Sequence, residues 1–171
     1  MGLPPCLRFA DQWLKWLGSK VMSLATFLHR VKRTSWSDRL ILAEAVGALI
    51  ASSLAIRLLP FKWLARKASS VGRGKPGTTR DRTTQKARWA IGAAGPYLPW
   101  RIVCFQEGLA LHSMLRRRGI ASLLHYGVGQ SAERGVSGHV WVSVDGRIIV
   151  GEEEAGNHAC LATFPAPAEQ P

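Results

Sequence analysis

The sequence has few cysteines, and their arrangement excludes a disulfide framework and a zinc site. Cys6, Cys104 and Cys160 are the only three in 171 residues, and none of them has the spacing of a CxxC or Cys-His ligand motif. A secretory signal is also missing, because the first basic residue is followed by a polar-interrupted stretch instead of a continuous apolar run. These absences favour a reducing cytoplasm as the location.

The sequence also lacks a long uninterrupted hydrophobic run. Its longest apolar stretch, from Leu40 to Phe61, is broken by Glu44 and Arg57, which leaves 12 uncharged residues between the two charges. A membrane span needs about 20. We therefore expect a buried helix here, in a soluble domain whose apolar fraction is 47%.

Acidic residues are scarce, since 11 Asp and Glu stand against 23 Lys and Arg. The resulting positive field favours acidic or phosphate-bearing partners. Residues 68–84 combine glycine, proline and basic residues without an apolar period, which predicts a solvated linker or mobile loop. Because no aromatic residues for base stacking accompany this run, nucleic acid is not an expected partner.

Helical periodicity dominates the first half of the chain. An amphipathic helix is predicted before residue 34, with basic residues such as Lys15 and Arg30 on its polar side. We expect it to pack on its own chain, although an anionic membrane or a partner would suit it as well. Its apolar residues are Leu14, Leu17, Val21, Leu24, Leu28 and Val31.

Three further helices are predicted. Ser35 with Asp38 matches a capping box, so the next helix starts there and turns Leu42, Val46, Leu49 and Ile56 inward. Pro60 should kink or end this helix. A helix over residues 85–94 is stopped by Gly95 and Pro96. Another is expected over residues 103–118, with basic residues in its last turn and Gly119 as its cap.

Strands are predicted over residues 121–128, 139–144 and 147–152, the last two joined by an Asp145-Gly146 hairpin turn. Residues 129–136 are expected to form a loop that could line a substrate groove. The fold class is therefore α+β. We divide the chain into an amino-terminal extension (1–34), a helical segment (35–67), the linker (68–84), a catalytic core (85–164) and a flexible tail (165–171).

The hairpin brings chemistry-bearing residues together. With a two-residue turn, opposed residues have numbers that sum to 291, so His139 faces Glu152 across the ladder. Cys104 lies at a helix start, where free amide groups and the helix dipole stabilise a thiolate. Considered one at a time, Cys104 could be a small buried hydrophobic residue and Glu152 a solvated acid. Considered together with His139, the two residues match a Cys-His-acid catalytic site.

Three other residues have structural interpretations. Trp141 shares a strand face with His139 and could shield it, or could simply belong to the core. His112 lies more than two helical turns from Cys104, too far to be its base. We interpret His125 as a strand residue with a structural hydrogen bond.

The segments LPWRIVCFQEGLALHSMLRRRGI, LLHYGVG and GHVWVSVDGRIIVGE resemble the leader peptidases of lasso-peptide biosynthesis, members of the transglutaminase-like superfamily. The resemblance covers about residues 36–155. It implies that Cys104 is the nucleophile, that His139 is the general base and acid, and that Glu152 is the third member, where the family often has Asp. Asp145 competes for this third role, but its place in the turn explains it.

The resemblance also implies the partners. These are a precursor peptide, recognised through its leader, a separate leader-recognition protein, and possibly the ATP-dependent cyclase that closes the macrolactam ring. No cofactor or metal is expected. Two alternatives stay open: a non-catalytic peptide-binding scaffold of the same fold, and an acyltransferase. The sequence leaves the precursor, the cleavage position and the oligomeric state undetermined.

Overall fold

The computed structural model describes residues 34–69, 78–131 and 135–166. The helices are α1 (Trp36–Leu58), α2 (Phe61–Ala68), α3 (Thr78–Ala94), α4 (Cys104–Arg117) and the short α5 (Glu152–Ala155), with a 3₁₀ turn at Gly95–Tyr97. The strands are β1 (Leu123–Ser131), β2 (Gly135–Val144), β3 (Arg147–Val150) and β4 (Ala159–Phe164). They form one antiparallel sheet in the order β3-β2-β1-β4. The predicted α+β class is confirmed, while the predicted amphipathic helix before residue 34 lies outside the described residues.

Helix α1 begins and ends where the sequence predicts. The Ser35 hydroxyl accepts the Asp38 N–H at 3.2 Å, and Pro60 follows the last turn. Leu42 and Leu49 are buried, and Val46 and Ile56 are partly buried. The expectation of a buried helix is only half right, because the opposite face of α1 is exposed.

Helix α1 is also long and apolar enough to cross a membrane. Its best 18-residue window has a mean hydropathy of 1.8, and 39% of that window is buried inside the protein. Only the length and composition of α1 point to a membrane span, and core helices of soluble proteins often have the same length and hydropathy.

The core lies between the sheet and helices α1, α3 and α4. Burying aliphatic side chains of this size stabilises a fold by about 1.5–3 kcal/mol each. At Gly108 the backbone of α4 lies against the sheet, because a Cβ there would be 2.7 Å from Val140 Cγ1. The largest fully buried side chains are Leu49, Ile91, Leu111, Met114, Leu115, His112, Val140 and Val142.

The start of α3 corrects the predicted linker. Residues 78–84 are helical, not a loop. Arg80 is buried, donates to Ala121 O at 2.9 Å and lies 3.4 Å from Asp145 Oδ1. A polar run is typical of a loop, but here the guanidinium of Arg80 contacts two distant segments, at Ala121 and Asp145, which local composition cannot show.

The sheet is larger than predicted. Strand β1 continues to Ser131 and β2 begins at Gly135, so most of the predicted loop 129–136 belongs to a hairpin. Strand β4 was not predicted at all. Its sequence, ACLATF, lacks the regular alternation that marks a strand, and its place comes from main-chain pairing with β1.

Candidate active site

Cys104 is the first residue of α4. Gln106 Oε1 accepts the Val103 N–H at 3.0 Å, and Val103 O accepts the N–H groups of Gln106 and Glu107. Among the described residues, the N–H groups of Cys104 and Phe105 have no acceptor. These two donors and the positive end of the helix dipole suit a thiolate or an oxyanion.

Helix α1 holds the chain on both sides of Cys104. The Trp100 indole N–H donates to Ser53 Oγ at 3.1 Å, which fixes the segment that enters α4. The Ser52 hydroxyl donates to Gln106 O at 3.0 Å, which fixes the first turn. Trp100, four residues before the cysteine, therefore has a positioning role.

His139 is buried, with 7% of its surface exposed, on strand β2. Its Nε2 donates to Gly151 O at 2.9 Å, since a carbonyl can only accept. Its Nδ1 lies 3.7 Å from Glu154 Oε2. Both ring nitrogens therefore face oxygen atoms of the segment that follows β3.

The acid nearest to His139 is not the one that strand counting predicts. Val144 pairs with Arg147 and Ser143 with Ile148 as expected, but a bulge then pairs Val142 with Val150. The chain leaves the ladder at Gly151, whose φ is +82°. Glu152 therefore begins α5, and the predicted His139–Glu152 opposition is wrong. The role of Glu152 as third member stays a prediction.

Cys104 and His139 do not form a hydrogen bond with each other in the described part of the chain. Alternation along β2 turns Val140 towards Gly108 of α4. It turns His139 to the other face, where its ring stacks with Trp141 at 6.1 Å and 19° between planes. The predicted shared face of His139 and Trp141 is confirmed.

The short acidic helix α5 interacts electrostatically with both the first turn of α4 and His139. Glu154 pairs with His139. Burial raises the pKa of Glu107, in the first turn of α4, and the neighbouring Glu153 raises it further while Arg88 lowers it. Glu153 of this helix thus acts electrostatically on the first turn of α4, and Glu154 on the His139 ring.

Two residues that sequence analysis did not select lie on the His139 face. His158 has its ring 5.2 Å from that of His139; its Nδ1 donates to Glu154 O at 2.8 Å, and its Nε2 lies 3.0 Å from Ser137 Oγ. The exposed Cys160 has its Sγ 4.0 Å from His125 Nδ1. Both belong to β4 or the turn before it, which the sequence pattern did not reveal.

The remaining histidine predictions are confirmed. His125 bonds Ser143 Oγ at 2.8 Å and Thr163 Oγ1 at 3.1 Å, and burial lowers its pKa. His112 is fully buried between Ala68 O, at 3.0 Å, and Ser122 Oγ, at 2.8 Å. Burial lowers its pKa too.

Asp145 has the role in the turn that the sequence predicts. It adopts a φ of +50°, and its carboxylate pairs with Arg80.

A cavity of about 580 Å³ lies beside the entry to α4. It includes Trp100, Arg101 and Ile102 from the segment that precedes Cys104, and Glu107 from the first turn. Within residues 34–69, 78–131 and 135–166, no group of three or more His, Cys, Asp or Glu could hold a metal ion.

Fold and site together define an α+β domain in which a helix beginning at a cysteine packs on an antiparallel sheet that carries a buried histidine. Residues 46–162, well over half of the chain, match the family described as transglutaminase-like superfamily, and the chain belongs to it. This superfamily includes cysteine peptidases. No curated protein and no solved structure matches the chain.

Proposed function

We propose that this chain is a cysteine peptidase that removes the leader from a lasso-peptide precursor. The observation that carries the proposal is the position of Cys104, the first residue of α4, where two amide donors have no acceptor in the part of the chain that the structure describes. Superfamily membership and the resemblance of three segments to lasso leader peptidases support it. The neighbouring cavity offers room for substrate residues.

In the proposed mechanism the Cys104 thiolate attacks the carbonyl carbon at the end of the leader. The amides of Cys104 and Phe105 hold the oxyanion. His139 then protonates the leaving amine, and water hydrolyses the acyl-enzyme.

Proton transfer requires the His139 ring to come within hydrogen-bond reach of Cys104 Sγ. We propose that substrate binding draws the ring away from Gly151 O and around the edge of β2 that α5 borders. Catalytic hydrogen bonds often form fully only in the substrate complex.

A carboxylate orients the imidazole in this mechanism. Glu152 holds that position by resemblance, and Glu154 is the nearer group, at 3.7 Å. The variants Glu152→Gln and Glu154→Gln show which glutamate has this role, provided that both variants are folded to the same extent as wild type. The variant of the orienting acid should lose about a hundredfold in kcat; unchanged kcat in both would remove the acid from the mechanism.

The proposal includes partners. The enzyme acts in the cytoplasm with a separate leader-recognition protein and supplies the core peptide to an ATP-dependent macrolactam cyclase. The net charge of +12 suits an acidic leader.

The decisive experiment incubates the protein, its recognition partner and the precursor, followed by mass spectrometry. Cys104→Ala should lower the cleavage rate about a thousandfold or more, whereas Cys160→Ala should leave it unchanged. A free carboxylate at the end of the leader identifies hydrolysis; a leader joined to an amine would identify acyl transfer. Cleavage by Cys104→Ala at the wild-type rate would contradict the proposal, and loss in Cys160→Ala alone would assign the chemistry to the other thiol.

A further inference from the structure

The second half of α1 and the helix after it expose large apolar side chains. Ile50, Leu54 and Leu58 recur at every fourth position, which puts them on one face of α1. Leu59 and Trp63 follow them at the corner between α1 and α2. All five side chains are 36–74% exposed within the described part of the chain. An exposed apolar patch of this kind usually marks a contact surface.

The charged residues that the chain places among these apolar ones are all cations. Arg57, Lys62 and Arg66 are exposed, and the Arg66 guanidinium lies over the Trp63 ring, 5.6 Å from its centroid. A cation and an indole therefore occupy the same spot at the surface. We call the five apolar residues and these three cations the α1–α2 surface.

Acidic side chains are absent from this stretch of sequence, since no Asp or Glu occurs between Glu44 and Asp81. Glu44 lies about 20 Å along α1 from Arg57. Its carboxylate accepts hydrogen bonds from Arg117 and Arg118 of the neighbouring helix end, at 2.9 Å each. Glu44 is thus neutralised locally and does not offset the cations of the α1–α2 surface.

The inner face of α1 determines how the helix can meet a membrane. Ser52 donates to Gln106 O and Ser53 accepts from the Trp100 indole, and Leu49 is fully buried in the core. A helix that crossed the bilayer would have to give up these contacts. An interfacial helix inserts only its apolar face, by about 5–10 Å, and keeps its other side packed on the protein. The structure therefore favours docking on a membrane surface over spanning.

We propose that the α1–α2 surface docks the protein on an anionic phospholipid bilayer. The leucines insert below the headgroups, the Trp63 indole lies at the headgroup level, and Arg57, Lys62 and Arg66 contact the lipid phosphates. A second copy of the chain fits this surface less well. Its net charge is also +12, and the same cations of the two copies would repel each other.

Sedimentation of the full chain with vesicles tests the charge requirement. Wild type should sediment with phosphatidylglycerol–phosphatidylcholine vesicles and stay in solution with phosphatidylcholine vesicles. Lys62→Glu with Arg66→Glu should weaken binding at least about thirtyfold, because both cations contact the anionic surface. The matched control is Arg82→Glu with Arg147→Glu, which changes the net charge equally at exposed residues elsewhere. It should bind within about threefold of wild type, since charges beyond a Debye length are screened.

Two leucine variants test the apolar contact. Leu58 is 74% and Leu161 63% exposed, so an aspartate at either position should leave the circular dichroism spectrum unchanged. Leu58→Asp should weaken vesicle binding at least about tenfold, whereas Leu161→Asp on β4 should bind like wild type. Brominated phospholipids should quench tryptophan fluorescence less in Trp63→Phe than in Trp89→Phe, because Trp89 is an exposed indole of α3.

Wild type that stays in solution with the anionic vesicles would overturn the proposal. Equal losses in the two charge-reversal doubles would overturn it too, because net charge would then attract the vesicles without a specific surface. Binding that survives carbonate extraction would identify a spanning helix instead. A dimer in sedimentation equilibrium that Leu58→Asp converts to a monomer would assign the α1–α2 surface to a second copy.

Discussion

Gly108 sits where the cysteine-bearing helix touches the sheet, and Gly108→Ala tests that contact. A Cβ at this position would lie 2.7 Å from Val140 Cγ1 and 3.2 Å from Leu124 Cδ1. Val140 is a β-branched, buried residue, so its methyl cannot turn aside freely. The helix must therefore move away from the strand that carries His139.

Two opposed effects set the magnitude. Alanine favours a helix over glycine by about 1 kcal/mol. Overpacking a well-filled core costs about 1–3 kcal/mol. Gly92→Ala in α3 shows the first effect alone, because an added Cβ there meets nothing within 4 Å. The helical gain cancels in the comparison, so Gly108→Ala should be about 1–3 kcal/mol less stable than Gly92→Ala.

Urea unfolding followed by circular dichroism measures both free energies under identical conditions. Peptidase assays on the same samples should show a lower kcat for Gly108→Ala alone, since Cys104 lies one helical turn away. Equal stabilisation by both substitutions would show that α4 does not approach β2 as closely as described.

Three further predictions concern titration and backbone shape. Because the pKa of Glu107 is raised above its ordinary 4.5, stability should fall as pH rises from 4.5 through the raised value, and Glu107→Gln should be more stable than wild type at pH 7 by urea unfolding. Because the pKa of His112 is lowered below 6.5, stability should fall as pH drops below 6.5, and less so in His112→Gln, as thermal melts at several pH values would show. Gly151→Ala forces a side chain to φ +82° and to 3.0 Å from His139 Nε2, so it should lose activity, while Gly156→Ala, with open space around it, should not.

The sequence predicts the helices well because their signals are local. The Ser35 cap, Pro60, and the Gly95-Pro96 stop act on neighbouring backbone, so their effect does not depend on the rest of the fold. Cys104 at a helix start follows from the same kind of signal. The Asp145-Gly146 turn is equally local, and the first two residue pairs beyond it keep the predicted register.

What sequence analysis misses depends on distant contacts. The bulge after Ser143 shifts the ladder by one residue, and a glycine at φ +82° then starts a helix in place of a strand. The bulge and the helical turn that follows it together bring Glu154, in place of Glu152, beside the imidazole. The contacts of Arg80 and His158 could not be predicted for the same reason, since their hydrogen-bond partners lie 41 and 21 residues away along the chain.

The placement of Cys104 depends on α1 as much as on α4. Ser53 accepts from the Trp100 indole and Ser52 donates to Gln106 O, so α1 fixes the chain both before and after the thiol. The hydroxyls can do so only if α1 keeps its position, and that position is set by packing one face on α3 and α4.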